Sequence, residues 1–213
     1  DRSVSRGLGD VYKRQVFYLF LDKDEHGQMP VLIRNDHLPI WNTDTSELYK
    51  LAIDNTPRLY PPCIRSMASL INDMLFVNGT LIQPSFAAAS PNALDLTDSP
   101  IPLSILTNTS GIFGASAMLY PGVLKEFSKK IGHDLIILPS SVHEVLLLPY
   151  DSTYSFQEMA DMVKDVNEKC VPVEEQLSNQ VYYYSSTQDS IFLGGDPASR
   201  ILSLIHISEP TRH

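Results

Sequence analysis

The fold of this chain is decided by the stretch Leu135-Ile-Ile-Leu-Pro-Ser-Ser-Val-His-Glu-Val-Leu-Leu-Leu-Pro149. Two apolar runs flank a short polar centre, and Pro139-Ser-Ser at that centre is typical of a turn. We therefore predict a β-hairpin with strands over residues 135–138 and 142–148. The polar tetrad of this hairpin consists of Ser140, Ser141, His143 and Glu144.

Helix starts lie on both sides of the hairpin. Asp44 and Ser155 are each followed three residues later by glutamate, a spacing that satisfies the free backbone amides at a helix start. We expect the first of these helices to end before Pro57. Pro61-Pro62 predicts another helix, which runs to about Leu75, because proline is favoured in the first turn of a helix.

Further strands are predicted where branched and aromatic residues cluster. These runs cover residues 16–22, 29–34, 101–106, 181–184 and 191–193. Hairpins interspersed with helices predict an α+β fold, with a largely antiparallel sheet and about four or five flanking helices. Residues 84–100 contain three prolines and have no sustained hydrophobic period, so we expect a variable loop there.

The two ends of the chain look unlike the rest. Residues 5–15 read Ser-Arg-Gly-Leu-Gly-Asp-Val-Tyr-Lys-Arg-Gln, and residues 202–212 read Leu-Ser-Leu-Ile-His-Ile-Ser-Glu-Pro-Thr-Arg. One choice of codons for the second segment has a reverse complement that encodes the first, and both resemble translated sequencing-adapter sequence. We therefore predict that residues 1–15 and 202–213 are not native. Residues 16–201 are then a single α+β domain, the C-terminal part of a longer protein.

The charge of the chain narrows the classes of partner. The formal net charge is −9 at pH 7, and no cluster of Lys and Arg offsets it, which argues against nucleic acid and against an anionic membrane. No apolar run approaches the length of a membrane span. The two cysteines form no disulfide framework and fit a reducing cytoplasm. We expect a cytoplasmic protein with a protein or small-molecule partner.

A catalytic role for the tetrad is the sharpest chemical hypothesis. Ser140 or Ser141 would be the nucleophile, His143 its base, and Glu144 the acid that orients the imidazole. If His143 and Glu144 are neighbours in a strand, they project to opposite faces of the sheet. No Gly-x-Ser-x-Gly elbow accompanies the serines. Both points weigh against a catalytic triad.

A metal site finds little support in the sequence. The zinc motif His-Glu-x-x-His would need a second histidine at position 147, which is leucine. A site built from His133, His143 and Glu144 is an alternative. Cys63 has no histidine partner near it in the sequence, and Cys170 has no second ligand at metal spacing. We expect neither a metal nor another cofactor.

Several motifs together resemble the bacterial domain-of-unknown-function (DUF) family 5688. The matching stretches are Leu106-Thr-Asn108, Gly114-Ala115, Leu119-Tyr-Pro121, Leu138-Pro-Ser-Ser-Val-His-Glu-Val145, Val166-Asn167, Leu177-Ser178 and Val181-Tyr182. The resemblance implies a cytoplasmic α+β protein with no assigned reaction. It also implies a further N-terminal region that this chain lacks.

Two functions follow from these observations. The first is a non-catalytic binding or regulatory module, in which the serines satisfy turn amides and His143 and Glu144 fix the strands or line a ligand pocket. The alternative is a hydrolase that uses Ser141 and His143, with Glu144 or another acid.

Overall fold

The computed structural model describes residues 17–24, 27–67, 69–70 and 103–195. Within these ranges the chain forms two compact units, one up to residue 59 and one from residue 60 onward. The predicted variable loop at 84–100 and the predicted adapter segments lie outside the described residues. The helices and the two antiparallel sheets confirm the predicted α+β class.

The first unit contains a hairpin and two helices. Strands β1 (Tyr18–Asp24) and β2 (Gly27–Leu32) pair antiparallel, and helices α1 (His37–Trp41) and α2 (Thr45–Leu59) follow. The Glu47 amide donates to the Asp44 carboxylate at 2.8 Å, which confirms the predicted cap. The predicted end of α2 is wrong, because the helix continues through Pro57.

The second unit is built on a six-stranded antiparallel sheet with the order β3-β4-β6-β5-β7-β8. Its strands are β3 (Pro62–Ser66), β4 (Ser104–Asn108), β5 (Leu135–Ser141), β6 (Glu144–Pro149), β7 (Tyr182–Ser185) and β8 (Ser190–Leu193). A 3-10 helix (Gly114–Leu119) and α3 (Val123–Ile131) lie between β4 and β5, and α4 (Phe156–Cys170) lies between β6 and β7.

Strand β5 begins with an apolar run that is buried on both faces of the sheet. Leu135, Ile136 and Ile137 have no exposed surface although they point alternately to the two faces. On one face, Ile136 packs with Val163 of α4. Elsewhere the 3-10 helix packs against β4 and β6. This burial stabilises the frame that carries the β5–β6 turn.

The helix predicted from Pro61-Pro62 is wrong in its first part. Pro62–Ser66 is strand β3, which pairs antiparallel with β4 at one end of the strand order. Helical backbone begins only at Met67, where the Ser66 hydroxyl accepts the Ser69 amide at 3.1 Å. Proline suits the first residue of an edge strand as well as the first turn of a helix, and pairing with β4 decides between them.

The predicted hairpin is confirmed, but its turn lies further along the chain. Strand β5 runs to Ser141, which pairs with Glu144, so the turn consists of Val142 and His143. Pro139 can lie within β5 although proline has no amide hydrogen to donate. Strand β7 pairs with β5 only as far as Ile137, so no residue of β7 requires a hydrogen bond from position 139. The expectation that His143 lies in a strand beside Glu144 is therefore wrong.

Helix α4 begins where the sequence predicts it. Helix α4 begins with the predicted cap, since the Ser155 hydroxyl accepts the Glu158 amide at 3.3 Å. Every helix in the described ranges is too short or too polar to cross a bilayer.

Candidate functional site

The candidate site is the turn between β5 and β6, together with the segments that hold it. The Thr107 hydroxyl, at the end of β4, donates to the His143 carbonyl at 2.8 Å. The Ala115 amide donates to the Val142 carbonyl at 3.3 Å. Two backbone carbonyls of the turn are therefore held from the neighbouring strand and the 3-10 helix. We call Thr107, Asn108, Phe113, Gly114, His143 and Glu175 the turn cluster.

Asn108 shapes the loop that follows β4. Its side-chain oxygen accepts the Ser110 amide at 3.0 Å, the Ser110 hydroxyl at 2.8 Å and the Gly111 amide at 2.9 Å. Its side-chain nitrogen donates to the Ile112 carbonyl at 3.0 Å. Because Asn108 is 2% exposed, its side chain replaces water as the partner of these loop groups.

Gly114 sits where no side chain fits. A Cβ at this position would lie 2.0 Å from the Thr107 hydroxyl, 2.5 Å from the His143 carbonyl oxygen and 2.7 Å from the Asn108 nitrogen. Two of these atoms belong to the backbone, which cannot move aside as a flexible side chain can. The close approach of the 3-10 helix to the β5–β6 turn therefore requires glycine.

The His143 ring accepts a hydrogen bond from a backbone amide. The Phe113 N–H donates to Nδ1 at 3.1 Å, and the Phe113 ring stacks on the imidazole with 5.8 Å between centroids. A ring nitrogen that accepts carries no proton, so this hydrogen bond assigns the proton of the neutral ring to Nε2. Phe113 has a left-handed backbone, with φ 51° and ψ 28°, which a bulky residue adopts only when its surroundings hold it there.

The other ring nitrogen of His143 faces Glu175. Nε2 lies 3.9 Å from the Glu175 carboxylate, and the two side chains are 32% and 43% exposed. The Val142 amide also donates to the Glu175 carbonyl at 2.8 Å. Glu175 thus contacts the turn through both its backbone and its side chain. When the ring is charged, an ion pair this exposed contributes only about 0–1 kcal/mol.

The other three residues of the tetrad bind locally. The Ser141 hydroxyl accepts the His143 amide at 3.0 Å, and the Ser140 hydroxyl donates to the Glu144 carboxylate at 3.2 Å. Among the described residues, no hydrogen bond joins the His143 ring to Ser140, Ser141 or Glu144. The tetrad is close in space, but its side chains form three separate sets of contacts.

A second polar network lies at the opposite end of β5. The Asp134 carboxylate accepts the Tyr183 hydroxyl, and it accepts the Ser186 amide at 2.9 Å. Partial burial alone would raise the pKa of Asp134, but the hydrogen bonds from Ser186 and Tyr183 outweigh it and lower that pKa. Burial and the same carboxylate raise the pKa of Tyr183 to about 12. This Asp134 network ties the start of β5 to β7 and the turn after it.

The residues proposed for a metal site do not converge. His133 precedes β5 and His143 follows it, so a seven-residue strand separates them, a length of about 20 Å. Among the described residues, no three His, Cys, Asp or Glu side chains are grouped as metal ligands. Cys63 is buried in β3, and burial raises the pKa of its thiol against the opposing charge of Arg65. A buried thiol of this kind suits a packing role.

Sequence reasoning missed Phe113, Glu175 and Asp134 as members of these networks. Phe113 carries no motif of its own, and its role follows from a left-handed backbone that a sequence does not display. Asp134 had a weak signal, because the three consecutive tyrosines at 182–184 need acceptors for their hydroxyls when they are partly buried.

The protein-family comparison identifies the chain. Residues 15–186 match the model of a family of unknown function, DUF5688. The chain belongs to this family. No curated protein and no solved structure matches it. The part of the chain that matches DUF5688 includes the turn cluster and the Asp134 network.

Proposed function

We propose that this DUF5688 protein is a non-catalytic binding or regulatory module of the cytoplasm, and that the partly exposed side chains of His143 and Glu175 in the turn cluster form its recognition surface. Its partner is a protein or a small molecule. One observation carries the proposal: Nδ1 of His143 accepts a backbone amide, while Nε2 faces the partly exposed Glu175.

This arrangement supports recognition rather than general-base catalysis. A general base needs a free lone pair directed at the proton that it removes. In the neutral ring the lone pair on Nδ1 is used by Phe113, and Nε2 carries the proton. The Nε2–H group and the Glu175 carboxylate are a donor and an acceptor side by side at the surface, which suits a polar group of a partner.

The backbone of Phe113 adds to the argument for a functional surface. Strained residues cluster at binding and catalytic sites, where the surrounding structure holds them in place. Phe113 has such a backbone, and its ring stacks on the imidazole. The strain therefore coincides with the partly exposed histidine.

The hydrolase that uses Ser141 and His143, with Glu144 or another acid, stays a prediction. It requires the imidazole to leave Phe113 and to turn a basic nitrogen toward Ser141. A fluorophosphonate probe and a panel of ester and peptide substrates test it on the intact protein. We expect the wild type and Ser141→Ala to react alike. Labelling of Ser141 that is lost in both Ser141→Ala and His143→Ala would establish the hydrolase and overturn our proposal.

Recognition is tested by a charge reversal at the proposed surface. Immobilised Glu175→Arg should lose bound proteins or metabolites that the wild type retains, because it reverses the charge beside His143. Glu158→Arg is the matched control, since Glu158 is an exposed glutamate in the first turn of α4, which follows the other end of the hairpin. Equal binding by all three proteins, at unchanged melting temperatures, would contradict the proposed surface.

A further inference from the structure

The contacts of the His143 ring depend on whether the ring is protonated. Its Nδ1 accepts the Phe113 amide at 3.1 Å, and no second lone pair on that nitrogen is available once it binds a proton. Protonation would place an N–H group on Nδ1 opposite the N–H group of Phe113. Two donors cannot share one hydrogen bond, so this contact has to break.

Two further features favour the same outcome. Phe113 has a left-handed backbone conformation with φ 51°, and its amide bond to His143 is one of the contacts that hold it there. The Phe113 carbonyl still accepts the Ser116 hydroxyl at 2.8 Å, so loss of the amide bond frees the N–H side of the residue. Glu175, on the other side of the ring, faces Nε2 at 3.9 Å and attracts the charged imidazolium. The carboxylate therefore offers the charged ring a partner away from Phe113.

The charged groups around the ring are few. In the described part of the chain, Glu175 is the carboxylate that faces the imidazole, while the Glu144 carboxylate accepts from Ser140. The residues of β4 and the 3-10 helix that contact the turn, Thr107, Gly114 and Ala115, are neutral. Within the described ranges, the hydrogen-bond, ion-pair and stacking partners of the ring include no Lys or Arg.

We propose that His143 is a proton-operated latch on Phe113. The neutral imidazole holds the Phe113 amide against the β5–β6 turn, and acidification releases that amide. Asn108 still binds Ser110, Gly111 and Ile112 through groups that do not titrate, so the movement is confined to Phe113 and the residues next to it. The latch regulates the recognition surface proposed above, and only this use of it rests on that proposal.

The latch is tested by hydrogen exchange and NMR, without any ligand. Between about pH 8 and about pH 5, where imidazoles titrate, the protection factor of the Phe113 amide should fall on the order of tenfold or more. The Phe113 amide shift should follow the titration of the His143 ring protons. In His143→Asn, whose side-chain oxygen can accept the same amide but cannot titrate, the protection should not depend on pH.

The control is His133→Asn, which removes an exposed histidine that precedes β5 and should leave the wild-type response unchanged. Constant protection of Phe113 through the titration of His143 would overturn the latch. An equal loss of protection in His143→Asn would overturn it as well. If His143→Asn does not fold, the wild-type titration alone decides, because the latch requires the Phe113 shift and the His143 ring shifts to share one midpoint. Neither result depends on whether the turn cluster binds a partner.

Discussion

The turn cluster and the Asp134 network lie at opposite ends of β5 and use their hydrogen bonds differently. In the turn cluster, the side chains of Thr107, Asn108 and His143 bind backbone groups. In the Asp134 network, the carboxylate binds the hydroxyls of Tyr183 and Ser186 and one backbone amide. The first network sets the path of loops, and the second joins strands that are already paired.

This difference predicts different sensitivity to mutation. A loop whose backbone partners come from side chains loses its conformation when one of those side chains is removed. A side-chain network between paired strands can be weakened while the ladder of backbone bonds persists. We therefore expect larger losses of stability in the turn cluster than in the Asp134 network.

The largest expected effect is that of Gly114→Ala. The added methyl group would collide with two backbone atoms, and overpacking of this kind costs about 3 kcal/mol or more of the free energy of unfolding. Gly132→Ala is the matched control, because its Cβ meets nothing within 4 Å and only its φ of +76° is unfavourable, at about 1–2 kcal/mol. Urea unfolding of both variants measures the difference. Equal costs would show that the close approach of the 3-10 helix to the turn is not required.

The next effect is that of Asn108→Ala. This change removes the partner of the Ser110 and Gly111 amides and of the Ile112 carbonyl, and unsatisfied buried groups cost about 2–3 kcal/mol together. Asn108→Asp keeps the acceptor for the two amides but loses the donor to Ile112, so the exchange rates at Ser110 and Gly111 should change less than in Asn108→Ala. Urea unfolding and the exchange rates of the two amides provide the measurement. A loss of stability without faster exchange at Ser110 and Gly111 would show that the Asn108 side chain does not hold the loop.

The smallest effect is that of Asp134→Asn, at about 1–2 kcal/mol near neutral pH. The pKa of Asp134 is lowered in the folded state, so its contribution is present above the unfolded value of about 3.9. It is lost as the pH falls through the folded pKa. The wild type should therefore lose its advantage over Asp134→Asn between about pH 5 and about pH 2. A gap that stays constant over this range would show that the carboxylate charge does not stabilise the network.

The sequence predicts the frame of the second unit because the relevant signals are local. The apolar runs on both sides of Pro139-Ser-Ser mark a hairpin, and Ser155 with Glu158 marks a helix start. The helix predicted from Pro62 is wrong because Pro62–Ser66 pairs with β4, whose residues are about forty positions away. Local propensity cannot include that contact.

The candidate site could be predicted only in part for the same reason. The tetrad is visible as a motif, but the partners of His143 come from Thr107, Phe113 and Glu175. Their proximity depends on β4 pairing with β6, which no local pattern specifies. Strand alternation predicts that the side chains of His143 and Glu144 point to opposite faces of the sheet. The two side chains do form separate contacts, but the reason is that His143 lies in the turn.

The protonation of the His143 ring nitrogens tests the central claim most directly. Nitrogen-15 NMR of the ring near pH 8 should show Nδ1 unprotonated, Nε2 protonated, and a coupling across the hydrogen bond from the Phe113 amide to Nδ1. This result would show that the His143 side chain accepts a backbone hydrogen bond that holds the turn. A ring that carries its proton on Nδ1, with no coupling to Phe113, would contradict the account and leave Nε2 free to act as a base.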